Sequence, residues 1–398
     1  MQIESIKLRD FRNYEEMAIT PHPGVNILFG QNGSGKTNLL EAIHYCALGR
    51  SHRTSQDREV VRRDQPMAAI GVQLKKNGVR TDVTVKLTPG EPRRKTVFID
   101  QKRASKLSDL MGRVQCVIFS PEDLMLVKEG PSIRRRFLDM MLSQLSTSYF
   151  IALQQYQKAL DQRNAMLREA RRGERINTAM MDAFEEAMAV PCETIIPLRR
   201  QFVQMTGEIA ATKYASISGR EHEIFSMIYQ CCLSSDEDIV EQVKRHLAQS
   251  RREDSLRGST GFGIHREDIV LLLSDREMKV FASQGQIRTA ALSMKLAQLE
   301  IFRKVSGETP ILLLDDVMSE LDMSRRTRLI NEITGVQTFI TCTDETDLEG
   351  CQEKRSYRVF ATDGAAAIEE SSSGEKVEKE NLMMDDFDLD DVSHETTL

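Results

Sequence analysis

The sequence lacks the features of a membrane or secreted protein. No apolar stretch in its 398 residues approaches the about 20 residues that a membrane-spanning helix requires, and the mean hydropathy is −0.38. The N-terminus opens with a strand-like pattern and has no apolar segment typical of a secretory signal. We therefore expect a soluble, cytoplasmic protein with no membrane partner.

The sequence is also poor in the patterns that form disulfides or zinc sites. Its 7 cysteines include no C-x-x-C pair, and only Cys231 and Cys232 are adjacent. An odd count without regular spacing indicates reduced, mostly buried thiols. The 7 histidines form no H-x-x-x-H group, so no zinc site is predicted.

A positive net charge, which is typical of nucleic-acid-binding proteins, is absent from the chain as a whole. The formal net charge is −6, but residues 369–398 contain eleven acidic residues and two lysines, so the first 368 residues carry +3. We expect this acidic tail to be disordered, because its composition cannot bury a core.

The remainder is mildly basic and contains arginine clusters, which can neutralise phosphates, although a single cluster is more often only a solvated surface. The candidate DNA contacts are Arg134, Arg135, Arg136, Arg171 and Arg172.

The motif most informative about function lies near the N-terminus and fits the P-loop pattern G-x-x-x-x-G-K-[ST]. It follows a strand-like run, Val25–Phe29, and precedes apolar residues at helical spacing that end at Gly49. Strand, glycine loop and helix form the context in which backbone N–H groups bind phosphate. Lys36 is expected to contact the β- and γ-phosphates, and Thr37 to ligate Mg²⁺. The predicted nucleotide-binding residues of the loop are Gly30, Gln31, Asn32, Gly33, Ser34, Gly35, Lys36 and Thr37.

A second motif, far along the chain, is an apolar run closed by two acids. Residues 311–314 read Ile-Leu-Leu-Leu and precede Asp315 and Asp316. Such a run suits a central parallel strand that is buried on both faces. We expect Asp315 to hold Mg²⁺, directly or through water, and Asp316 to act as the general base towards the attacking water.

A third segment, Ser283-Gln284-Gly285-Gln286, precedes a helical pattern. Its backbone N–H groups and serine hydroxyl can bind a phosphate. Since the chain already has a P-loop for its own nucleotide, this suggests that Ser283 and Gly285 act in trans, on the nucleotide of a partner subunit. The alternative is an ordinary serine cap at a helix start.

The segment between these motifs indicates the architecture. Asn77-Gly78 lies between two strand-like runs and predicts a type I′ hairpin within an antiparallel meander. Residues from Pro131 onward follow helical spacing until Gly173 breaks the pattern. A second helical stretch starts near Thr178 and is predicted to be interrupted by Pro191 and Pro197.

Several strings together resemble a known family. The segment at Ser283 resembles the signature motif of ABC-type ATPases, and residues 319–322 resemble their D-loop. The N-terminal residues 6–14 resemble the start of SMC-like ATPases. The combination with residues 51–54, 119–124, 134–139 and 265–268 resembles the RecF family of bacterial recombination mediators. Two places depart from the family pattern: residues 261–264 lack the expected Gly-Pro before His265, and residues 338–343 offer threonines where transporter ATPases have a switch histidine.

This resemblance implies an α/β fold: an ABC/SMC-like P-loop ATPase head, with a mixed sheet and antiparallel meander, and a mainly helical second lobe. The expected divisions are 1–130 and 261–368 for the ATPase lobe, 131–260 for the helical lobe, and 369–398 for the tail. Arg12 and Asn38 join the nucleotide contacts by the same resemblance.

The implied function is ATP- and Mg²⁺-dependent DNA binding by an ATP-induced homodimer with slow hydrolysis. The implied substrates are single-strand gaps and duplex–single-strand junctions, in gap repair, replication recovery and the SOS response. RecR-like and RecO-like partners follow from the resemblance alone. The alternatives are an SMC-like ATPase of another repair system, including the nucleases that begin with such an ATPase, and a transporter-type ABC subunit.

Overall fold

The computed structural model describes residues 1–91, 94–220, 222–234, 237–344, 354–362 and 364–371. The chain forms two compact units, one of Met1–Pro121 with Phe302–Leu398 and one of Glu122–Ile301. These boundaries differ from the expected divisions, because residues 122–130 and 261–301 belong to the second unit. Residues 372–398 lie outside the described residues, so the disorder of the acidic tail stays a prediction.

The strands, in chain order, are β1 (Gln2–Phe11), β2 (Tyr14–Ile19), β3 (Val25–Phe29), β4 (Ala68–Lys76), β5 (Val79–Leu87), β6 (Lys95–Ile99), β7 (Lys102–Arg103), β8 (Cys116–Phe119), β9 (Phe225–Gln230), β10 (Asp268–Leu273), β11 (Arg276–Glu277), β12 (Ile311–Leu314), β13 (Thr338–Cys342), β14 (Lys354–Thr362) and β15 (Ala365–Glu370).

The α-helices are α1 (Lys36–Leu48), α2 (Met125–Lys128), α3 (Pro131–Leu145), α4 (Thr147–Arg171), α5 (Thr178–Ser218), α6 (Ile239–Arg257), α7 (Met278–Phe281), α8 (Gln284–Ser306) and α9 (Met323–Glu332).

The first unit is built on a mainly parallel sheet with the strand order β15-β14-β3-β13-β12-β8. All four residues of β12 are buried, as expected for a central parallel strand. Strands β3, β13 and β12 are parallel neighbours, so their carboxyl ends meet at one edge of the sheet. The P-loop after β3 and the acidic pair after β12 are therefore brought to the same edge.

A second sheet of this unit is antiparallel, in the order β2-β1-β4-β5-β6-β7. The predicted hairpin is confirmed: Lys76 pairs with Val79 across Asn77 and Gly78, whose φ angles are 49° and 78°. Positive φ at both central residues is what a type I′ turn requires. The fold class, a mixed α/β head with an antiparallel meander, is confirmed.

The second unit contains the longest helices, and one prediction about them is wrong. Helix α5 runs unbroken for 41 residues, with Pro191 and Pro197 inside it. It packs along α4, α6 and β9, and Pro191 is itself buried. Burial of this long face outweighs the roughly 3 kcal/mol that a proline costs in a helix. Gly173 follows the end of α4 with a φ of 101°, as predicted.

The second unit also holds a small antiparallel sheet, β11-β10-β9, which was not predicted from the sequence. Strand β9 pairs along its full length with β10, from Phe225 opposite Leu273 to Gln230 opposite Asp268. Within the described part of the chain, no helix is both long enough and apolar enough to cross a membrane.

The acidic tail begins later than expected. Glu369 and Glu370 lie in β15 opposite Arg358 and Tyr357. Glu369 also forms an ion pair with Arg358, at 3.5 Å. The first two residues of the predicted tail are therefore part of the parallel sheet's edge hairpin.

Candidate functional site

The P-loop connects β3 to α1 through a backbone that only glycine accommodates at two places. Gly30 and Gly35 have φ angles of 147° and 122°, a region that side chains rarely adopt. A Cβ atom on Gly30 would lie 2.1 Å from the carbonyl oxygen of Val359 in β14. The loop is therefore held tightly against the neighbouring strand, with its amides at the N-terminus of α1.

Lys36, the first residue of α1, is mostly buried beneath this loop. Its Nζ donates hydrogen bonds to the carbonyl oxygens of Gly30 and Gln31, at 2.6 and 2.8 Å. Burial lowers the pKa of Lys36, and the charge of Asp316 is the largest influence that opposes this shift. A desolvated cation inside a loop of phosphate-binding geometry is suited to a phosphate anion.

The acidic pair lies directly beside the start of α1. Asp315 Oδ1 accepts hydrogen bonds from the Thr37 and Thr341 hydroxyls, both at 2.8 Å. The hydroxyl of Thr341 also accepts from the backbone N–H of Asp316, at 2.8 Å. Thr341 thus fixes the positions of both acids. This role was not predicted from the sequence; it follows from the position of Thr341 in β13, beside β12.

These donors fit a magnesium ion. A threonine hydroxyl and a carboxylate are hard oxygen ligands of the kind that Mg²⁺ takes together with phosphates and waters. Thr37 and Asp315 meet at the edge where the P-loop opens, as the sequence predicts for a metal site. Asp316 is half-exposed next to them, in a left-handed conformation with φ of 51°.

The turn between β1 and β2 forms hydrogen bonds with the P-loop. Asn13 donates from Nδ2 to the Ser34 carbonyl oxygen at 3.1 Å, and accepts from Asn38 at 2.7 Å. The hydroxyl of Tyr14 donates to the carbonyl oxygen of Gly35. Asn13 and Tyr14 were not predicted as site residues. They belong to the N-terminal segment that resembles the family, and this was the signal that could have identified them. Asn38 reaches the loop through Asn13.

Arg12, which the resemblance adds to the nucleotide contacts, forms hydrogen bonds with α1 and with the segment that follows it. Its Nε and Nη2 donate to Glu41 at 2.8 and 2.6 Å, and its Nη1 donates to the Glu59 carbonyl oxygen. Burial raises the pKa of Glu41, but hydrogen bonds from Arg12 and Ser51 outweigh it and bring the pKa below its ordinary value. Arg12 therefore stabilises α1 through Glu41, and all three nitrogen groups of its guanidinium form hydrogen bonds.

The signature segment lies in the second unit, at the start of α8. The backbone N–H of Ser283 donates to Gln286 Oε1 at 2.8 Å, and the N–H of Gln286 donates weakly to Ser283 Oγ at 3.4 Å. This reciprocal pair is a capping box. Ser283 is exposed and Gly285 half-exposed, so this helix end lies at the protein surface.

The arginine candidates separate into buried and exposed residues. The bidentate ion pair of Arg134 with Asp268 uses Nε and Nη2, at 2.7 and 2.8 Å, and Nη1 donates to two backbone carbonyl oxygens. Arg134 is also buried, which makes it a poor candidate for a DNA contact. Half-buried Arg135 donates to the Glu267 carbonyl oxygen at 2.7 Å, which makes it a poor candidate. Arg136, Arg171 and Arg172 are exposed.

Residues 134–139 and 265–268, two of the segments that resemble the family, contribute side chains to one buried ionic network. Arg199, fully buried in α5, donates to Glu267 and Asp139 at 2.7 and 2.8 Å. His265 lies 2.7 Å from the Tyr156 hydroxyl. These residues hold α3, α4 and α5 against the start of β10, so these segments serve the stability of the second unit.

Comparison with known proteins agrees with this geometry. The model of the RecF/RecN/SMC N terminal domain family matches residues 2–367. The "DNA replication and repair protein RecF" of Alkaliphilus oremlandii is 40% identical over 348 residues, which are 86% of this chain and 93% of the relative. Its counterpart in Clostridium acetobutylicum is 37% identical over 369 residues, 93% and 100% of the two chains.

Solved structures give the same result. The recombination mediator protein RecF-ATP of the RecFOR pathway is similar with a TM-score of 0.84 and 32% identity, over 93% of this chain and 98% of that one. An SmcHead bound to the C-winged helix domain of ScpA shares the fold alone, with a TM-score of 0.56 and 14% identity over 94% and 98%. On the family match over residues 2–367 and the identity to these relatives, the chain belongs to the RecF family of SMC-like ATPases.

Proposed function

We propose that this chain is an ATP-dependent DNA-binding recombination mediator whose homodimer closes when ATP binds. The observation that carries the nucleotide part is the 2.8 Å hydrogen bond between Thr37 and Asp315, beside the buried amine of Lys36. The relatives support the rest, since they are named DNA replication and repair proteins and one solved relative is the RecF-ATP form of a recombination mediator.

Each part of the first-unit site has a role in this proposal. The loop amides and Lys36 hold the β- and γ-phosphates, and Thr37 and Asp315 hold Mg²⁺, which would neutralise charge on the phosphate oxygens. Asp316 orients the attacking water and takes its proton. Asn13 and Tyr14 keep the loop rigid from below.

The signature segment acts on the partner's nucleotide. Ser283 and Gly285 stand at the solvent-exposed N-terminus of a 23-residue helix, where N–H groups attract anions. We infer that these groups complete the phosphate site of a second copy, so that ATP joins the two subunits. Hydrolysis, slow and switch-like, would then release them.

The biological setting follows the family. We propose that the closed dimer binds single-strand gaps and duplex–single-strand junctions in the cytoplasm, and helps to load recombinase with RecR-like and RecO-like partners. This places the chain in gap repair, replication recovery and the SOS response. The family match over residues 2–367 speaks against a transporter-type subunit.

Light scattering of the full chain tests the proposal. The mass should double with ATP and Mg²⁺, remain monomeric with ADP, and double more readily when a gapped duplex is added. Lys36→Ala should stay monomeric in ATP while keeping the wild-type circular dichroism spectrum. A wild-type chain with the same mass in all nucleotide states would overturn the ATP-closed dimer.

A further inference from the structure

Two adjacent thiols lie at the rim of a cavity that the nucleotide site does not use. Cys231 and Cys232 directly follow β9 and are both half-exposed. The open cavity, of about 830 Å³, lies between α5 and β9, and its lining includes Arg200, Gly207, Tyr229 and Cys231. Small molecules in solution can therefore reach the sulfur of Cys231.

The surroundings of the Cys231 sulfur favour its thiolate. Arg200 donates from Nη2 to Sγ at 3.3 Å, and the backbone N–H of Leu233 donates to it at 3.4 Å. The thiol itself donates to Glu267 Oε1 at 3.3 Å, and the charge of Glu267 opposes the thiolate. A guanidinium and an amide directed at one sulfur form the kind of environment that makes a cysteine nucleophilic.

Cys232 is placed to be the second thiol of a pair. Its backbone N–H donates to the same Glu267 oxygen at 3.2 Å, and the two sulfurs and a Glu267 oxygen lie within 4.8 Å of one another. The Cys232 thiol is the main influence that lowers the pKa of Cys231, while the pKa of Cys232 itself is raised. The two thiols are thus chemically unequal.

The other described cysteines are poor nucleophiles. Cys46, Cys116, Cys192 and Cys342 are buried. Burial raises the pKa of Cys46 above its usual range and that of Cys192 to about 12. Cys351 lies outside the described residues, so it must be removed before reactivity is assigned.

We propose that Cys231 is a modification site that reacts with hydroperoxides and soft alkylating agents, with Cys232 as its resolving thiol. The Cys231 thiolate attacks the outer oxygen of the hydroperoxide. An S–O bond forms, the O–O bond breaks, and the leaving alkoxide takes a proton to become an alcohol. The sulfur of Cys232 then attacks the sulfenic acid. An S–S bond forms, and hydroxide leaves with the Cys232 proton as water. Two thiols lose two electrons in total, and the hydroperoxide is reduced.

The modification would act on the buried ionic network of the second unit. Glu267, which accepts from Cys231 and from the N–H of Cys232, also binds Arg199 at 2.7 Å. A disulfide between neighbouring residues closes a small, strained ring, which ordinary thiols reduce readily. The site is therefore suited to reversible oxidation.

Alkylation of the full chain in a Cys351→Ser background tests the first step. With iodoacetamide at pH 7, peptide mass spectrometry should find Cys231 modified at least about tenfold faster than any buried cysteine. Arg200→Gln should slow this reaction about two- to threefold, since Arg200 is one of several donors to the sulfur. Arg252→Gln, which removes an exposed arginine of the same unit, should not change it. Equal rates at Cys231 and Cys192, or no effect of Arg200→Gln, would overturn the proposal.

Peroxide treatment tests the second step. The chain should lose the mass of two hydrogen atoms on the peptide that carries both thiols, and dithiothreitol should restore it. Cys232→Ser should instead accumulate a sulfenic acid that dimedone traps at Cys231. Trapping to the same extent in the presence of Cys232 would show that Cys232 does not resolve the intermediate.

Discussion

The hydroxyl of Thr37 donates a hydrogen bond to the carboxylate of Asp315 at 2.8 Å, although 278 residues separate them. The parallel sheet causes this approach. Strand β13 lies between β3 and β12, and all three end at the same edge. The proposed Mg²⁺ site is thus assembled from the two ends of the chain, with the whole second unit inserted between them in sequence.

Asp316→Asn is predicted to retain ATP binding and to slow hydrolysis by about 10²–10⁴-fold, because the amide cannot accept the proton of the attacking water. Fluorescent-nucleotide titration and phosphate release measure the two effects, and the ATP-bound dimer should accumulate. Asp315→Asn, the matched control, should instead weaken Mg²⁺-dependent binding. Normal hydrolysis by Asp316→Asn would assign the base elsewhere, with Glu122 or Glu320 as the next residue to replace.

Most of the strand, loop and helix geometry of this candidate nucleotide site was predictable from the sequence, because its information is local. Glycines at fixed spacing, a strand before them and a helix after them specify the P-loop. The run before Asp315 specifies a buried strand in the same way. Thr341 and Asn13 were missed because their roles come from neighbours in the folded sheet and turn, which no spacing along the chain reveals.

Ser283→Arg is predicted to leave ATP binding by the monomer near normal and to abolish ATP-dependent dimerisation. A bulky cation would occupy the position at the start of α8 where a partner's phosphate is proposed to bind. Equilibrium sedimentation with ATP measures the effect. Ser283→Thr is the matched control, since it retains both a hydroxyl and a helix cap and should dimerise. Dimerisation by Ser283→Arg would show that the serine is only a cap.

Below pH 6.5, the protein is predicted to lose stability through His265. Burial lowers its pKa from 6.5 to about 4, and the nearby Arg266, Arg135 and Arg163 add to the shift. Because the folded pKa is the lower one, the unfolded chain binds the proton first. The contribution of His265 to the free energy of unfolding is therefore fully present above pH 6.5. It is lost as pH drops towards 4, by about 3 kcal/mol in total.

Urea unfolding between pH 7 and pH 4 measures this slope. The imidazole also faces the Tyr156 hydroxyl and the Thr260 carbonyl oxygen, so His265→Gln should be less stable at pH 7 but lose less on acidification. His246→Gln replaces an exposed histidine of the same unit and should follow the wild-type curve. An unchanged acid slope in His265→Gln would contradict the assignment.

Asp268→Ala is predicted to destabilise the second unit by about 3–5 kcal/mol, because it leaves the buried guanidinium of Arg134 without its counter-ion. The midpoint of urea unfolding measures it. Arg136→Ala, at an exposed arginine of the same helix, should change stability by no more than about 0.5 kcal/mol. The double variant Arg134→Met/Asp268→Leu should recover part of the loss. Equal effects of Asp268→Ala and Arg136→Ala would contradict the buried pair.

Arg134 also illustrates what the sequence could not provide. Three consecutive arginines present three directions on a helix, so one of them can face the core while another faces solvent. Which one is buried depends on Asp268, 134 residues away. The unbroken α5 could not be predicted for the same reason, because it depends on tertiary contacts. Packing against its neighbours stabilises a helix that its prolines alone would end.

DNA binding is predicted to require ATP or a non-hydrolysable analogue and to weaken steeply with salt. The first 368 residues carry only +3, so one subunit should bind weakly, whereas two joined subunits place two basic surfaces on one DNA.

Arg136→Gln/Arg171→Gln/Arg172→Gln should weaken binding to all sequences alike and reduce the salt slope by about 0.9 for each DNA phosphate that is no longer neutralised. Arg245→Gln/Arg252→Gln, at exposed arginines of α6, is the comparison variant, since neither residue was predicted to contact DNA. Fluorescence anisotropy across a salt series, with ATP, ADP and no nucleotide, measures both effects on a gapped duplex. Equal affinity in the three nucleotide states would mean that ATP does not gate DNA binding, and an unchanged slope in the triple variant would place the DNA on another surface.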